Sequence, residues 1–369
     1  MMGGILSEAK DLRGSSLPFL ATSKGEILRF AQNWREKRIF RTAYERFLLN
    51  KKIKVKFDFK AFKGGFMKLA KEPTLGLILS GILYLFLAFK ERTLLPDNSL
   101  IFSLVTFIYL FAGLIYLIHW IFKWEKGGFF GSVIAWAGFI ANFYAFIIRW
   151  IQTHQTGFGY VPLSNLYESL VFFGLCVAGF YLFWELRLQR RIFGSLVFIL
   201  NSLIMAFATF VADSTIKPLI PALKSNWLIA HVITCFLGYG AFAVAFAVAI
   251  FYLLSNNQTL KQYLPEKAVL ESFIYRTMLF GFFWLSLGII TGAIWADQAW
   301  GSYWSWDPKE TWSFITWLIY AGGIHAKIIR GWSGKKIAWL NVIGFISVLF
   351  TYFGVNFLLS GLHSYGGLN

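Results

Sequence analysis

Charge is the scarcest resource in this 369-residue chain: only 14% of its residues are Asp, Glu, Lys or Arg. A soluble domain carries about a quarter. With 57% apolar residues and runs reaching the roughly 20 residues that cross a bilayer, a soluble globular protein is excluded. There are two cysteines, Cys176 and Cys235, both inside apolar runs, and no CxxC pair. That excludes dithiol redox chemistry and a cysteine-type zinc site, and both thiols read as small apolar filler. Strict apolar–polar alternation over ten-residue segments is missing, which excludes a membrane β-barrel. No glycine-rich phosphate loop or nucleic-acid motif accompanies the net charge of +17. The N-terminus lacks the basic-then-apolar pattern of a cleaved signal, so none is expected.

What the chain does contain predicts an all-α polytopic membrane protein of about nine transmembrane helices. The spans fall at 74–89, 100–122, 128–150, 165–186, 192–212, 227–254, 272–296, 311–329 and 337–361. Only helices satisfy that many backbone groups in hydrocarbon without a barrel. Lys and Arg set the orientation. With the N-terminus in the cytoplasm, the inner segments carry 17, 2, 3, 3 and 4 of them, together 29, and the outer segments carry 6. The C-terminus then lies outside, as does the loop before residue 311. Two regions result: a basic cytoplasmic extension over 1–72 and a transmembrane domain over 73–369. Residues 1–72 hold 17 Lys/Arg against 7 Asp/Glu, which suits a lipid-facing segment rather than nucleic acid. Within it, 47–62 alternates like a short strand.

Aromatic residues are abundant, at 20% with 16 Trp. Their densest cluster is WGSYWSWDPKETW, residues 300–312, where Trp300, Gly301, Trp304, Trp306 and Trp312 surround Asp307, Pro308, Lys309 and Glu310. Pro near a helix start and an acid in its first turn are helix-start chemistry, so part of the charge is capping. Two of the five histidines reach the same predicted membrane face: His231, four residues into the sixth span, and His363, two beyond the ninth. Two imidazoles on opposite faces of a plane, with aromatic walls, suit a haem iron. An interfacial aromatic belt with solvated histidines reads the same residues differently, and composition does not choose between them.

The motif narrows the choice. WGSYWSWDPKETW resembles the tryptophan-rich "WWD" signature of the cytochrome c assembly family of haem-handling membrane proteins. PLSNLYESL (162–170), WLIAHV (227–232), GIHAKIIRGWSGKKIAWLNVIGF (323–345) and GLHSYG (361–366) are similar to the CcsA/ResC-like members that serve system II cytochrome c synthetases. The resemblance covers about residues 100–366 and leaves 1–72 without a counterpart. It implies that His231 and His363 are axial ligands of haem b at the outer face, beside the WWD loop. It also implies a second, inner haem site at His325. The inner site's other ligand is then either His119 or a histidine of a partner subunit, with Arg187, Arg190, Arg191, Lys327 and Arg330 near the propionates.

The implied activity is that of a cytochrome c synthetase, or haem lyase, subunit. Its partners are a ResB-type membrane subunit and apocytochrome c bearing CxxCH, with a thiol–disulfide reductase pathway acting indirectly and no nucleic acid. The host membrane is a bacterial plasma membrane or a thylakoid membrane, with the haem-presenting face extracytoplasmic or lumenal. No side chain is required as acid or base, because the acceptor supplies two thiols and a histidine, and proximity supplies most of the acceleration. Neutral imidazole is needed to bind iron, so haem loss at low pH is expected. Asn165, Tyr167 and Glu168 sit at the outer end of the fourth span. They either support the haem and the WWD loop or only satisfy the helix start. Two other functions fit parts of the pattern: a transporter that only delivers haem, and a redox subunit with a permanent b haem. The latter buries facing histidine pairs within its helices, whereas His363 lies beyond the last span.

Overall fold

The structure is a computed structural model in which residues 96–188, 190–255, 257, 264–359 and 361 are described. The predicted first span at 74–89, the strand-like 47–62, the whole of 1–72 and His363 lie outside the described residues. Among the described residues all regular structure is helical. The long helices are α1 (Asn98–Phe122), α2 (Glu125–Gln155), α3 (Leu166–Leu188), α4 (Gly194–Phe210), α5 (Asn226–Leu254), α6 (Lys267–Trp300), α7 (Pro308–Arg330) and α8 (Lys335–Leu358). Seven of them are long and apolar enough to cross a membrane, and α7 is the exception. This is a polytopic all-α membrane protein.

The sorting of residues on α1 shows how the sequence meets its solvent. Phe102, Val105, Tyr109, Ala112 and Tyr116 are fully buried, at i+3 and i+4 spacing. Leu100, Leu104, Phe107, Phe111, Leu114 and Ile118 form the opposite stripe and are exposed. An exposed stripe this apolar faces lipid, not water. α5 is the most enclosed span. It packs on α3, α6 and α8, and its Phe242 ring stacks on Tyr320 of α7 with centroids 3.6 Å apart. α5 also packs backbone-close on α6. A Cβ on Gly238 would stand 3.0 Å from the Gly281 carbonyl oxygen and the Leu285 nitrogen. Small residues let membrane helices approach in this way.

The helix starts are written locally. Asp97 caps α1 by accepting from the Ser99 amide at 2.9 Å, and Ser225 caps α5 through the Trp227 amide at 3.1 Å. α7 begins with a full capping box and Pro308 at its first turn, and ends on Gly331 at φ +63°. Its lower hydropathy comes from Lys309, Glu310, Thr311, Ser313, Thr316, His325, Lys327 and Arg330. α8 is interrupted by a π turn over Phe350–Gly354. α6, at 34 residues, runs well past the roughly 20 that a bilayer needs. Its last turns therefore carry Trp295 and Trp300 to one end of the bundle.

Candidate functional site

At that end the starts of α3, α5 and α7 meet the ends of α6 and α8 around a cleft of about 1140 Å³, counting its open mouth. The lining is largely apolar, with Phe236, Tyr239, Trp304 and Tyr352 among its aromatic residues and His231, Lys309, Glu310, Asn165 and Asn356 among its polar ones. The cleft thus gathers residues from five separate stretches of chain.

His231 is held on two sides. Its Nδ1–H donates to the Gly288 carbonyl on α6 at 2.8 Å. That bond fixes the tautomer and leaves the ring's lone pair on Nε2, the nitrogen then able to bind a metal. The ring lies nearly parallel to Trp295, at 20° and 5.9 Å between centroids. Trp295 is in turn pinned by its Nε1–H to the Ala222 carbonyl at 2.9 Å. A Cβ on Gly292 would sit 2.5 Å from the imidazole Nδ1, so glycine there makes the space the ring occupies. Gly288, Gly292 and Trp295 recur at i, i+4, i+7, one face of α6. Cys235, one turn along α5, places its sulfur 3.7 Å from Nδ1.

The tryptophan-rich loop is held by its own acids. Glu310 Oε2 accepts from the Ser305 amide at 2.8 Å, the Ser305 hydroxyl at 3.2 Å and the Asp307 amide at 3.2 Å. Asp307 accepts from the Lys309 amide at 2.9 Å. Gly301 at φ +75° and Trp306 at φ +59° make the two left-handed turns of the loop. A non-glycine residue in that region is strained by about 1 kcal/mol or more, and the Glu310 bonds on either side hold it there. Trp304 and Trp306 meet edge-on at 5.7 Å. Trp304 lines the cleft while Trp306 is 68% exposed. Trp300 packs edge-on against Trp295 at 5.0 Å, and Trp312 packs on Phe350 at 4.1 Å.

Lys309 extends its ammonium across the cleft to Asn356 of α8, donating to Oδ1 at 2.9 Å. The chain after α8 comes back over the same loop: a Cβ on Gly361 would touch Asp307 Oδ2 and Pro308. The π turn puts Tyr352 on the cleft wall, where its hydroxyl meets that of Ser169 at 2.5 Å. π turns recur at functional sites because the extra residue re-aims the side chains that follow it.

Of the three residues expected at the start of α3, Asn165 lines the cleft and also accepts from the Glu168 amide at 2.8 Å. Glu168 is fully buried. One oxygen accepts from Arg149 Nε at 2.9 Å, and the other accepts from the amide and hydroxyl of Ser164 at 2.9 and 2.8 Å. Tyr167 is buried beneath the Arg149 guanidinium, 4.9 Å from its ring centroid. Glu168 and Tyr167 thus belong to the frame around the cleft rather than to its lining. Arg149 also donates to the Ser214 carbonyl at 2.9 Å, which anchors the 211–225 connection. On that connection, hydrogen bonds from Lys217 and then Thr215 hold the Asp213 carboxyl well below the usual carboxylate range.

At the opposite end, His325 is exposed on α7. His119 closes the α1–α2 turn by donating to the Trp124 carbonyl at 2.8 Å. α1 packs on α2 and α4, and α7 on α6 and α8, so these two histidines stand on helices without an extensive common interface. Lys327 is paired with Glu271 at 2.6 Å, and Arg191 lies 3.8 Å from Glu185. Arg187 rests over the Phe183 ring at 5.2 Å.

The rim cleft offers an oriented imidazole, the indoles of Trp295 and Trp304, and the Lys309 ammonium among largely apolar residues. The family model described as cytochrome C assembly protein matches residues 163–363, from Leu163 on the cleft wall to His363. The chain belongs to the cytochrome c assembly protein family. It is 40% identical over 299 residues to the cytochrome c biogenesis protein CcsA of Guillardia theta, covering 72% of this chain and 95% of that one. With CcsA of Prochlorococcus marinus it is 38% identical over 253 residues, 60% of this chain and 78% of that one. Among solved structures, cytochrome c heme lyase CcmF superposes with a TM-score of 0.53 at 20% identity, over 73% of this chain and 48% of its own. This chain therefore spans about half of CcmF's length, and at that identity the likeness is one of fold.

Proposed function

We propose that the chain is the haem-holding subunit of a system II cytochrome c synthetase. The carrying observation is that the rim cleft brings His231 together with the WWD loop, and that Gly361 packs on that loop at Asp307 and Pro308. Gly361 is two residues from His363, a reach of at most about 7 Å. His231 and His363 would be the axial ligands of haem b, and the indoles of the loop would hold the macrocycle. The names of the relatives support this reading: CcsA proteins are cytochrome c biogenesis proteins, and CcmF is a haem lyase.

In this reading the chain crosses the membrane nine times, α7 included, with the basic 1–72 extension in the cytoplasm and the cleft facing out. The membrane is a bacterial plasma membrane or a thylakoid. An inner site at His325, with its second ligand from a ResB-type partner, would load haem. His119 is the weaker choice because its ring already closes a turn. At the rim, each acceptor thiol adds across a vinyl: the S–H and C=C π bonds break while C–S and C–H bonds form, with no net electron transfer. The chain's contribution is to bind, orient and shield the substrate, which is where proximity acts.

Reconstitution with the ResB-type partner and an apocytochrome c bearing CxxCH tests this, with covalent haem read by haem stain after denaturation. His231→Ala and His363→Ala should each lower attachment by about 100-fold or more, in line with loss of a metal ligand or its support. Attachment that survives both substitutions removes the axial assignment. A wild-type complex that binds haem but attaches none leaves a haem carrier instead.

A further inference from the structure

We infer that Lys309, held against Asn356, is the counter-ion for a carboxylate of the bound haem and so fixes which edge of the macrocycle faces the α7–α8 wall. This deepens the haem-holding reading and rests on it. Lys309 occupies the first turn of α7, where the helix dipole opposes a cation, so its charge does not serve the helix. Its ammonium has three donors, and the protein bond it makes is to a neutral amide oxygen, Asn356 Oδ1, at 2.9 Å. The ion pairs among the described residues are Arg149–Glu168, Arg191–Glu185, Lys217–Asp213 and Lys327–Glu271, and none includes Lys309.

Among the described residues, neither neighbouring acid is ion-paired with the ammonium, although the Asp307 charge acts on it and Glu310 Oε1 makes no hydrogen bond. Asp307 caps α7 and abuts Gly361, while Glu310 holds the Ser305 and Asp307 amides through Oε2. A cation in a largely apolar cleft is strongly favoured to meet an anion there, and haem brings two carboxylates on one edge. Seating that edge on Lys309 turns the opposite, vinyl-bearing half away from α7 and α8, which is the orientation that thioether formation requires.

Optical titration of the purified full-length chain with haem and with haem dimethyl ester, whose carboxylates are neutralised, tests the inference without any attachment step. Wild type should bind haem roughly 10- to 100-fold more tightly than the diester, the range of a charge-assisted hydrogen bond. Lys309→Met should bind both at the diester's level, and Lys309→Arg should keep the preference. A wild type that binds both alike overturns the inference and leaves the haem-holding reading in place, and so does a Lys309→Met variant with the full preference. A wild type that binds neither overturns both. A wild type without the preference overturns the inference even if a variant misfolds.

Discussion

Gly292→Val should strip haem from the protein almost as completely as loss of His231 itself, although residue 292 carries no ligand atom. A Cβ at 292 would stand 2.5 Å from Nδ1 and 2.7 Å from Cε1 of the imidazole, and valine adds two more carbons in the same space. The ring must then leave both the Gly288 carbonyl, to which it donates at 2.8 Å, and the face of Trp295. Losing such outer support typically weakens a metal site by about 10- to 100-fold, and displacing the ligand belongs at the upper end. Haem per purified chain, from the Soret band, is the measurement. Gly322→Ala on α7 is the control, since a Cβ there meets nothing within 4 Å. Gly292→Val protein that melts like wild type yet holds its haem would mean that His231 is not where the iron binds.

The second large effect concerns the frame. Arg149→Ala should destabilise the bundle by about 3–5 kcal/mol, because it leaves a buried carboxylate without its counter-charge. Arg149 and Glu168 are 1% and 0% exposed, so neither end recovers water. The guanidinium also carries the Ser214 carbonyl, and through the 211–225 connection it is linked to Ala222, Trp295 and the His231 ring. Unfolding in mixed micelles should show the loss. The double variant Arg149→Met, Glu168→Leu should recover most of it, since removing both charges removes the penalty. A single variant as stable as wild type would mean the pair contributes little.

Much of this was legible in the sequence because lipid imposes simple rules. The eight predicted spans from 100–122 onward correspond to α1 through α8 in order, with ends displaced by a few residues. The capping of α7 was legible too, since Asp307, Pro308 and Glu310 sit at fixed offsets that only a helix start explains. α6 was underestimated, at 272–296 against Lys267–Trp300, because hydropathy reports where lipid ends, not where hydrogen bonding ends. Trp295 went unnoticed because an indole inside an apolar span reads as lipid-facing or core filler, although its i+7 and i+3 spacing from Gly288 and Gly292 marks the face that receives His231. Arg149 appeared only as one outer charge. Nothing local distinguishes a solvated arginine at a span end from one buried against a glutamate nineteen residues on. The π turn at Phe350–Gly354 and the Lys309–Asn356 bond depend on tertiary packing, which periodicity does not encode.

The central claim is that one iron is clasped at the rim between His231 and His363, and its most direct test is the iron's coordination in the purified full-length chain. Low-temperature electron paramagnetic resonance of the oxidised protein should show a low-spin centre with two imidazoles. His231→Ala and His363→Ala should each convert it to high spin, and added imidazole should restore the low-spin signal in both. A low-spin signal that persists unchanged in both variants would contradict the claim.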